Sequence, residues 1–221
     1  MAADEGLLAE AVDGDVRPTL RLYTWDPPTV SLGRFQRPDQ SVNLDACRRL
    51  GIDVVRRVTG GRAVLHHREL TYSLAARSDN SFFPNDVLGT YRIIAKGLVA
   101  GLRSLGIDAE MVSRSGPHAG LVRKGSTTPS CFASPSWYEI VVQGRKIVGS
   151  AQRRLSEAFL QHGSILMDYD PILETSVIAG AAGEHRVTWI GRELGRSATI
   201  DEVRQALVSG FSEALNVVFV S

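Results

Sequence analysis

Apolar residues recur at helical spacing in several separate parts of the chain. The spacing predicts four amphipathic helices, over Ala2 to Val12, Leu44 to Leu50, Asp86 to Leu105 and Ile200 to Leu215. Gly14, Gly51 and Gly106 follow the first three, as expected where a helix ends in a left-handed or otherwise non-helical residue. The segment from Asp86 is the longest predicted helix.

Short apolar and β-branched runs between these helices predict strands. They cover Leu20–Thr24, Val30–Leu32, Ile52–Val55, Leu70–Ala75, Trp137–Gln143, Arg145–Arg154 and Phe159–Asp168. The turn sequence Asp26-Pro27-Pro28 favours a hairpin between the first two. Because strands and helices interleave, we expect an α/β (α+β) fold with a mixed sheet packed by helices, in one domain over residues 1–221.

Composition narrows the class of protein. The 25 basic and 24 acidic residues give a net charge of +1, which offers no global reason to expect nucleic acid or an acidic membrane as partner. We see neither a membrane-spanning apolar run nor the pattern of a signal peptide. Two cysteines, Cys47 and Cys131, are too few for a disulfide framework. These features predict a cytoplasmic protein with no membrane association.

A glycine pair lies between two predicted strands in the segment Arg56 to His67. Without Cβ atoms, Gly60 and Gly61 allow a ligand or another chain segment to approach the main chain, and arginines such as Arg57 can bind carboxylate or phosphate. His66 follows on the second strand. The alternative is a tight hairpin with solvated arginines.

Two later strands also carry candidate side chains. Lys146 interrupts a strand that contains Gly149 and Ser150, and it is one of only three lysines in the chain. A lone strand lysine is normally solvent-facing, so the pattern alone leaves its role open. His162, followed by Gly163, could orient an acyl carbonyl or protonate a leaving group, or it could be a structural histidine of the sheet.

Cys131 lies in the longest irregular stretch, Ser113 to Pro135, which is rich in Gly, Ser, Thr and Pro. A thiol there could act as a nucleophile if a nearby cation gave it thiolate character, and Lys146 could supply that cation. The alternative is an inert buried cysteine, which is the role we expect for Cys47 on its helix.

Three ordered segments, Arg56–His66, Gly144–Ala151 and Gln161–Ser164, together resemble the motifs of the biotin/lipoate protein ligase superfamily. The resemblance covers most of the chain, since Met1–Glu5 is similar to the family's first helix and Trp25–Gly33 to its next hairpin. It implies the biotin/lipoate protein ligase catalytic domain fold. The family's usual first strand is not found before Met1, and an accessory C-terminal domain is not expected after Leu215.

The superfamily contains ATP-dependent ligases and cysteine-dependent transferases. The segment Cys131 to Ile140 resembles the one that carries the nucleophile in one group of octanoyltransferases, whereas the Arg-Asn-Asp type sequence of ligases is not found. The resemblance therefore implies that Cys131 takes an octanoyl group from acyl carrier protein and passes it to a lysine of a lipoyl domain or glycine cleavage H protein. No metal or cofactor is expected in a monomeric enzyme of this kind.

The resemblance also implies roles for the other candidates. Lys146 would lower the pKa of Cys131, polarise the acyl carbonyl or deprotonate the incoming amine. The remaining residues would bind substrate, around an acyl tunnel or an oxyanion site: Arg57, Gly60, Gly61, His66, Gly149, Ser150, His162 and Gly163. Three alternatives stay open: the catalytic half of a split ligase that uses ATP and Mg²⁺, an amidotransferase between lipoyl-domain proteins, and a non-catalytic ligand-binding module.

Overall fold

The computed structural model describes residues 1–14, 17–113, 138–181 and 183–220. Its helices are α1 Ala2–Asp13, α2 Pro38–Ser41, α3 Leu44–Leu50, α4 Val87–Ser104, α5 Pro171–Val177, α6 Ile190–Leu194 and α7 Ile200–Leu215. Its strands are β1 Thr19–Tyr23, β2 Thr29–Leu32, β3 Asp53–Arg56, β4 Val64–His66, β5 Glu69–Arg77, β6 Glu110–Met111, β7 Ile140–Val142, β8 Arg145–Arg154 and β9 Ala158–Leu166.

The strands form two sheets. The larger sheet has the order β1-β5-β9-β8-β7-β6, and its neighbouring strands are antiparallel. The smaller sheet has the order β3-β2-β4, with β2 parallel to β3 and antiparallel to β4. Helices pack against both sheets. The expected α/β fold with mixed strand directions is therefore confirmed.

The predicted hairpin between the first two strands is wrong. β1 pairs with β5 in the larger sheet, whereas β2 lies at the centre of the smaller one. The hairpin alternative for Gly60 and Gly61 is also wrong, because β2 separates β3 from β4. Alternating apolar residues reveal that a segment is a strand but carry no information about its partner. The short elements α2, α5, α6 and β6 were not predicted, since runs this short show little periodicity; α3, also seven residues long, was marked by the glycine that follows it.

One face of the larger sheet carries the main apolar core. Tyr72 and Leu74 of β5 and Phe159 and Ile165 of β9 pack there with helices α4 and α7. The two helices cross closely on glycine: a Cβ at Gly210 would lie 2.2 Å from the Gly101 nitrogen. The two helices cover this face, and because side chains alternate along a strand, the polar residues of β5 lie on the other face.

That opposite face holds buried polar groups between the two sheets. Glu69, Thr71 and Ser73 of β5 lie in register with Leu166, Ser164 and His162 of β9, and all three polar groups of β5 are buried. Helix α1 packs against the same strands. In the part of the chain that the structure describes, no helix is both long and apolar enough to cross a membrane.

Candidate active site

Arg57, directly after β3, is buried, with 4% of its surface exposed. Its Nη2 donates to the carbonyl oxygens of Gly60 at 2.9 Å and Arg62 at 2.7 Å. Its Nη1 donates to the Ser31 carbonyl at 2.9 Å. The guanidinium therefore organises the glycine turn from inside. Its predicted role in binding substrate stays a prediction.

The glycine pair of the turn approaches another chain segment. A Cβ at Gly33 would lie 2.0 Å from the carbonyl oxygen of Gly61, so the two backbones are in direct contact. Gly61 has a φ of 88°, and a Cβ there would lie 2.9 Å from Nη2 of Arg57. Because a trans peptide points its C=O and N–H in opposite directions, the Gly60 carbonyl that faces Arg57 turns the Gly61 N–H away from it.

One hydrogen-bonded chain, which we call the Asp4 relay, joins helix α1 to Arg57 through Asp4, His162 and Thr59. The Nδ1 of His162 lies 3.1 Å from Oδ2 of Asp4, and its Nε2 lies 2.7 Å from Oγ1 of Thr59. A carboxylate only accepts, so the Nδ1 tautomer fits, and Nε2 then accepts the Thr59 hydroxyl proton. Thr59 Oγ1 in turn accepts from Arg57 Nε at 3.1 Å.

A second hydrogen-bonded series, which we call the Glu69 relay, also joins a carboxylate, a histidine and a hydroxyl: Glu69, His66 and Ser31. Nδ1 of His66 lies 3.2 Å from Oε1 of Glu69, and Nε2 lies 2.7 Å from the Ser31 hydroxyl. The Ser31 hydroxyl accepts from Arg57 Nη1 at 3.0 Å. Two carboxylate, histidine and hydroxyl chains thus converge on different nitrogens of one guanidinium. Both predicted histidines belong to them.

Burial sets the charge of the Asp4 relay. It lowers the pKa of His162, and the hydrogen bond that His162 donates to Asp4 only partly opposes this effect. Burial raises the pKa of the Asp4 carboxyl, but hydrogen bonds donated by His162 and Tyr23 outweigh it, so that pKa is lowered. Arg21 adds an ion pair to the same carboxylate at 3.1 Å. A neutral imidazole therefore lies beside an ionised carboxylate.

Gly163 and Ser150 belong to a row of contacts across three strands. Tyr72 of β5 lies opposite Gly163, which lies opposite Ser150 of β8. The Tyr72 hydroxyl is 2.7 Å from Ser150 Oγ, and a Cβ at Gly163 would lie 2.6 Å from the tyrosine ring. Glycine is required here so that Tyr72 can cross the strand. Gly149, the neighbour of Ser150, is buried opposite Ser164.

Lys146 is buried, with 1% of its surface exposed, so the solvent-facing reading of the pattern is wrong. Its Nζ lies 2.7 Å from Oε1 of Glu139, which is also buried. The Lys146 main chain bonds to the carbonyl of Arg186 and the amide of Thr188, both at 2.9 Å. Lys146 is therefore held in place both by its main chain and by its ammonium group.

Several partners of the predicted residues were missed in the sequence. Glu139 could have been noticed as a single acidic residue before an apolar strand, and Glu69 as the one acidic residue of its strand segment. Asp4 gave no such signal, because an acidic residue in the first turn of a helix is ordinary. Cys47 is buried on α3, as expected. Cys131 lies outside the described residues, so its predicted role stays a prediction.

An open cleft of about 950 Å³ lies beside the Glu69 relay. Glu69 and Trp25 line it, together with Arg68, Trp189 and Arg192. Trp25 stacks on His66 with ring centroids 4.2 Å apart. The cleft contacts only one residue of the relays, so the candidate site rests on the buried polar groups and not on cleft volume.

Comparison with known proteins identifies the family. Residues 1–212 match the model described as "Lipoyl protein ligase A/B catalytic domain". The chain belongs to this family. The superfamily inferred from the three sequence motifs is therefore confirmed, and the site belongs to a lipoyl ligase A/B catalytic domain.

Individual members of the family agree in sequence and structure. A protein named Octanoyltransferase LipM from Kyrpidia tusciae is 44% identical, covering 97% of this chain and 82% of the relative. A structure titled as lipoate-protein ligase A bound with ATP has a TM-score of 0.80 at 30% identity, covering all of this chain and 81% of its own. A bipartite lipoate protein ligase from Thermoplasma acidophilum, in a structure whose title includes its E2 lipoyl domain, has a TM-score of 0.75 at 29% identity, covering 100% and 79%.

Replacing Thr59 by valine should destabilise this lipoyl ligase A/B domain by about 1 to 3 kcal/mol, because Arg57 and His162 each lose a buried hydrogen-bond partner. Urea denaturation measures the change. Thr175→Val is the matched control: its hydroxyl is exposed and bonds only within α5, so we expect a change within about 0.5 kcal/mol. Equal effects of the two substitutions would contradict the Asp4 relay.

Acid should weaken the folded domain through His162. Its pKa is lowered from 6.5 by burial, so the unfolded chain binds the proton first; stability is complete above 6.5 and decreases as the pH falls below it. Urea denaturation at several pH values should show a smaller slope below 6.5 for His162→Gln than for the wild type. His185→Gln, at an exposed histidine, is the control. A slope unchanged in His162→Gln would refute this assignment.

Proposed function

We propose that this chain is an octanoyltransferase of lipoate biosynthesis. The observation that carries the proposal is that relatives named Octanoyltransferase LipM are 37 to 44% identical over nearly the whole chain. The buried ion pair of Lys146 supports it, because a lysine held inside the domain beside a carboxylate is placed for chemistry and not for solubility.

The reaction proceeds in two steps, acyl loading of Cys131 and acyl transfer to the acceptor lysine. The Cys131 thiolate attacks the thioester carbonyl of octanoyl-acyl carrier protein, the carbon–sulfur bond to the carrier breaks, and the carrier thiol leaves with the proton that Cys131 gave up. The amine of the acceptor lysine then attacks the acyl-Cys131 carbonyl. A carbon–nitrogen bond forms, the bond to Cys131 breaks, and the amine proton returns to the thiolate.

Glu139 gives Lys146 a defined part in this scheme. Oε1 of Glu139, 2.7 Å from Nζ, holds the end of the lysine in one position, from which its positive charge can attract a thiolate and polarise a carbonyl. Among the roles that the sequence leaves open, we propose charge stabilisation by Lys146. Glu139 acts through Lys146 and is a positioning residue.

The glycine turn supplies the second element of the site. Arg57 faces the carbonyls of the turn and leaves the Gly61 N–H directed the other way, as an oxyanion donor requires. In subtilisin, one such donor is worth about 3 to 4 kcal/mol of transition-state stabilisation. Gly149 and His162, on the face of the larger sheet that carries the relays, are proposed to line the path of the acyl chain. Ser150 and Gly163 lie on the opposite face beside Tyr72, and their role in substrate binding stays a prediction.

The acceptor is proposed to be an apo lipoyl domain or glycine cleavage H protein, and the enzyme to act as a cytoplasmic monomer without metal, cofactor or ATP. The structural neighbours titled as lipoate protein ligases favour one alternative, an ATP-dependent ligase. The two reactions differ in their donor, because the ligase activates a free acid whereas the transferase starts from a thioester.

An assay without ATP separates the two. The chain should transfer octanoyl from octanoyl-acyl carrier protein to an apo lipoyl domain, and mass spectrometry should detect an octanoyl adduct on Cys131 when the acceptor is left out. Cys131→Ser should lose the adduct and the transfer, whereas Cys47→Ser, at the buried cysteine, should keep both. Transfer only from octanoate with ATP and Mg²⁺ would refute the transferase and favour the ligase.

Glu139→Gln should lower kcat by about 100-fold, because Lys146 loses the charge that orients it. Rapid quench of acyl loading and of acyl transfer measures the two steps separately. Glu193→Gln is the matched control, since Glu193 bonds the neighbouring Arg145 of β8 at 3.4 Å. If both variants kept wild-type rates in both steps, Glu139 would have no positioning role.

A further inference from the structure

The loop of residues 33 to 37, which we call the Arg34 loop, joins β2 to α2. One guanidinium holds its backbone: Nη1 of Arg56 donates to the carbonyls of Gly33, Arg34 and Gln36, each at 2.9 Å. The Gln36 side chain also accepts from the Gly33 amide at 3.0 Å. These hydrogen bonds therefore fix the shape of the loop without burial of the Arg34, Phe35 and Arg37 side chains.

The side chains at the tip of the loop face outward. Phe35 is 86% exposed, whereas the next most exposed phenylalanine in the described residues, Phe82, is 45% exposed. Arg34 and Arg37 on either side of Phe35 are exposed as well. The Arg34 guanidinium lies 5.7 Å from the centre of the Phe35 ring. A phenylalanine held in water contributes nothing to folding, and aromatic residues with arginine are typical of protein interfaces.

Positive charge is concentrated around this loop. Besides the buried Arg57, residues 33 to 62 contain six arginines, against three aspartates, whereas the whole chain has a net charge of only +1. The rest of the chain is therefore slightly acidic. A partner attracted to this part of the surface must carry negative charge.

The loop also lies against the proposed site. Gly33 touches the Gly61 carbonyl, and the Arg34 amide donates to the Thr59 carbonyl at 2.9 Å. Thr59 is the residue that bonds both His162 and Arg57. A protein bound on the Arg34 loop would thus contact residues that themselves contact the glycine turn.

We propose that the Arg34 loop is the docking surface for the acyl donor, an acidic acyl carrier protein. The inference rests on the proposed function, because a transferase must hold its carrier while the tethered acyl chain reaches Cys131. Acyl carrier proteins are small acidic proteins, which matches the arginines, and Phe35 supplies the apolar contact at the centre of the patch.

The test compares two donors. In the double variant Arg34→Glu with Arg37→Glu, KM for octanoyl-acyl carrier protein should rise about ten-fold while kcat changes little, and the salt dependence of kcat/KM should weaken. Transfer from octanoyl-N-acetylcysteamine, a small thioester without a carrier, should keep its wild-type rate. Phe35→Ser should raise the same KM without changing the salt dependence.

The matched control reverses two charges elsewhere. Arg92→Glu with Lys96→Glu changes exposed residues of α4 on the far side of the larger sheet, and its KM for the carrier should stay at the wild-type value. An unchanged carrier KM in the Arg34 loop variants would overturn the proposal, and so would a rise confined to the KM for the lipoyl domain. If the wild type transferred from neither thioester without ATP, the proposed function itself would fail.

Discussion

The arrangement depends on the buried guanidinium of Arg57. Arginine keeps its charge in the interior, so each of its donors must find an acceptor, and those acceptors come from β2 and from the turn of residues 59 to 62. Carbonyls of the glycine turn satisfy Nη2, Ser31 satisfies Nη1 and Thr59 satisfies Nε. The smaller sheet and the turn are thereby held in one geometry, and the two relays join them to the larger sheet through His162 and Glu69.

Elements in which the periodic pattern of apolar residues extends over many residues were predictable from the sequence. The helices α1, α4 and α7 and the strands β8 and β9 match their predicted positions within a few residues. Strand partners were not predictable, because the separation of β1 from β2 depends on contacts with β5 and β4. The histidines and Lys146 were found as candidates, but their carboxylates were not, since tertiary contacts alone bring Asp4 or Glu139 to them.

Reactive and structural roles are combined in the same side chains. Lys146 is bonded through its main chain to the segment before α6 and through its ammonium to the residue before β7. A change in the position of either segment would move the ammonium, so the larger sheet and the candidate catalytic group cannot vary independently. The same holds for Gly163, where the path of one strand and the orientation of Tyr72 require the absence of a side chain.

The bond between Asp4 and His162 joins residues 158 positions apart. During protein synthesis, the ribosome needs about 8 to 30 s to add that many residues. For this whole interval Asp4 can bond Arg21 and Tyr23, but its histidine partner does not yet exist. The contact of α1 with β9 and the Asp4 relay therefore form only after β9 has been made, late in translation.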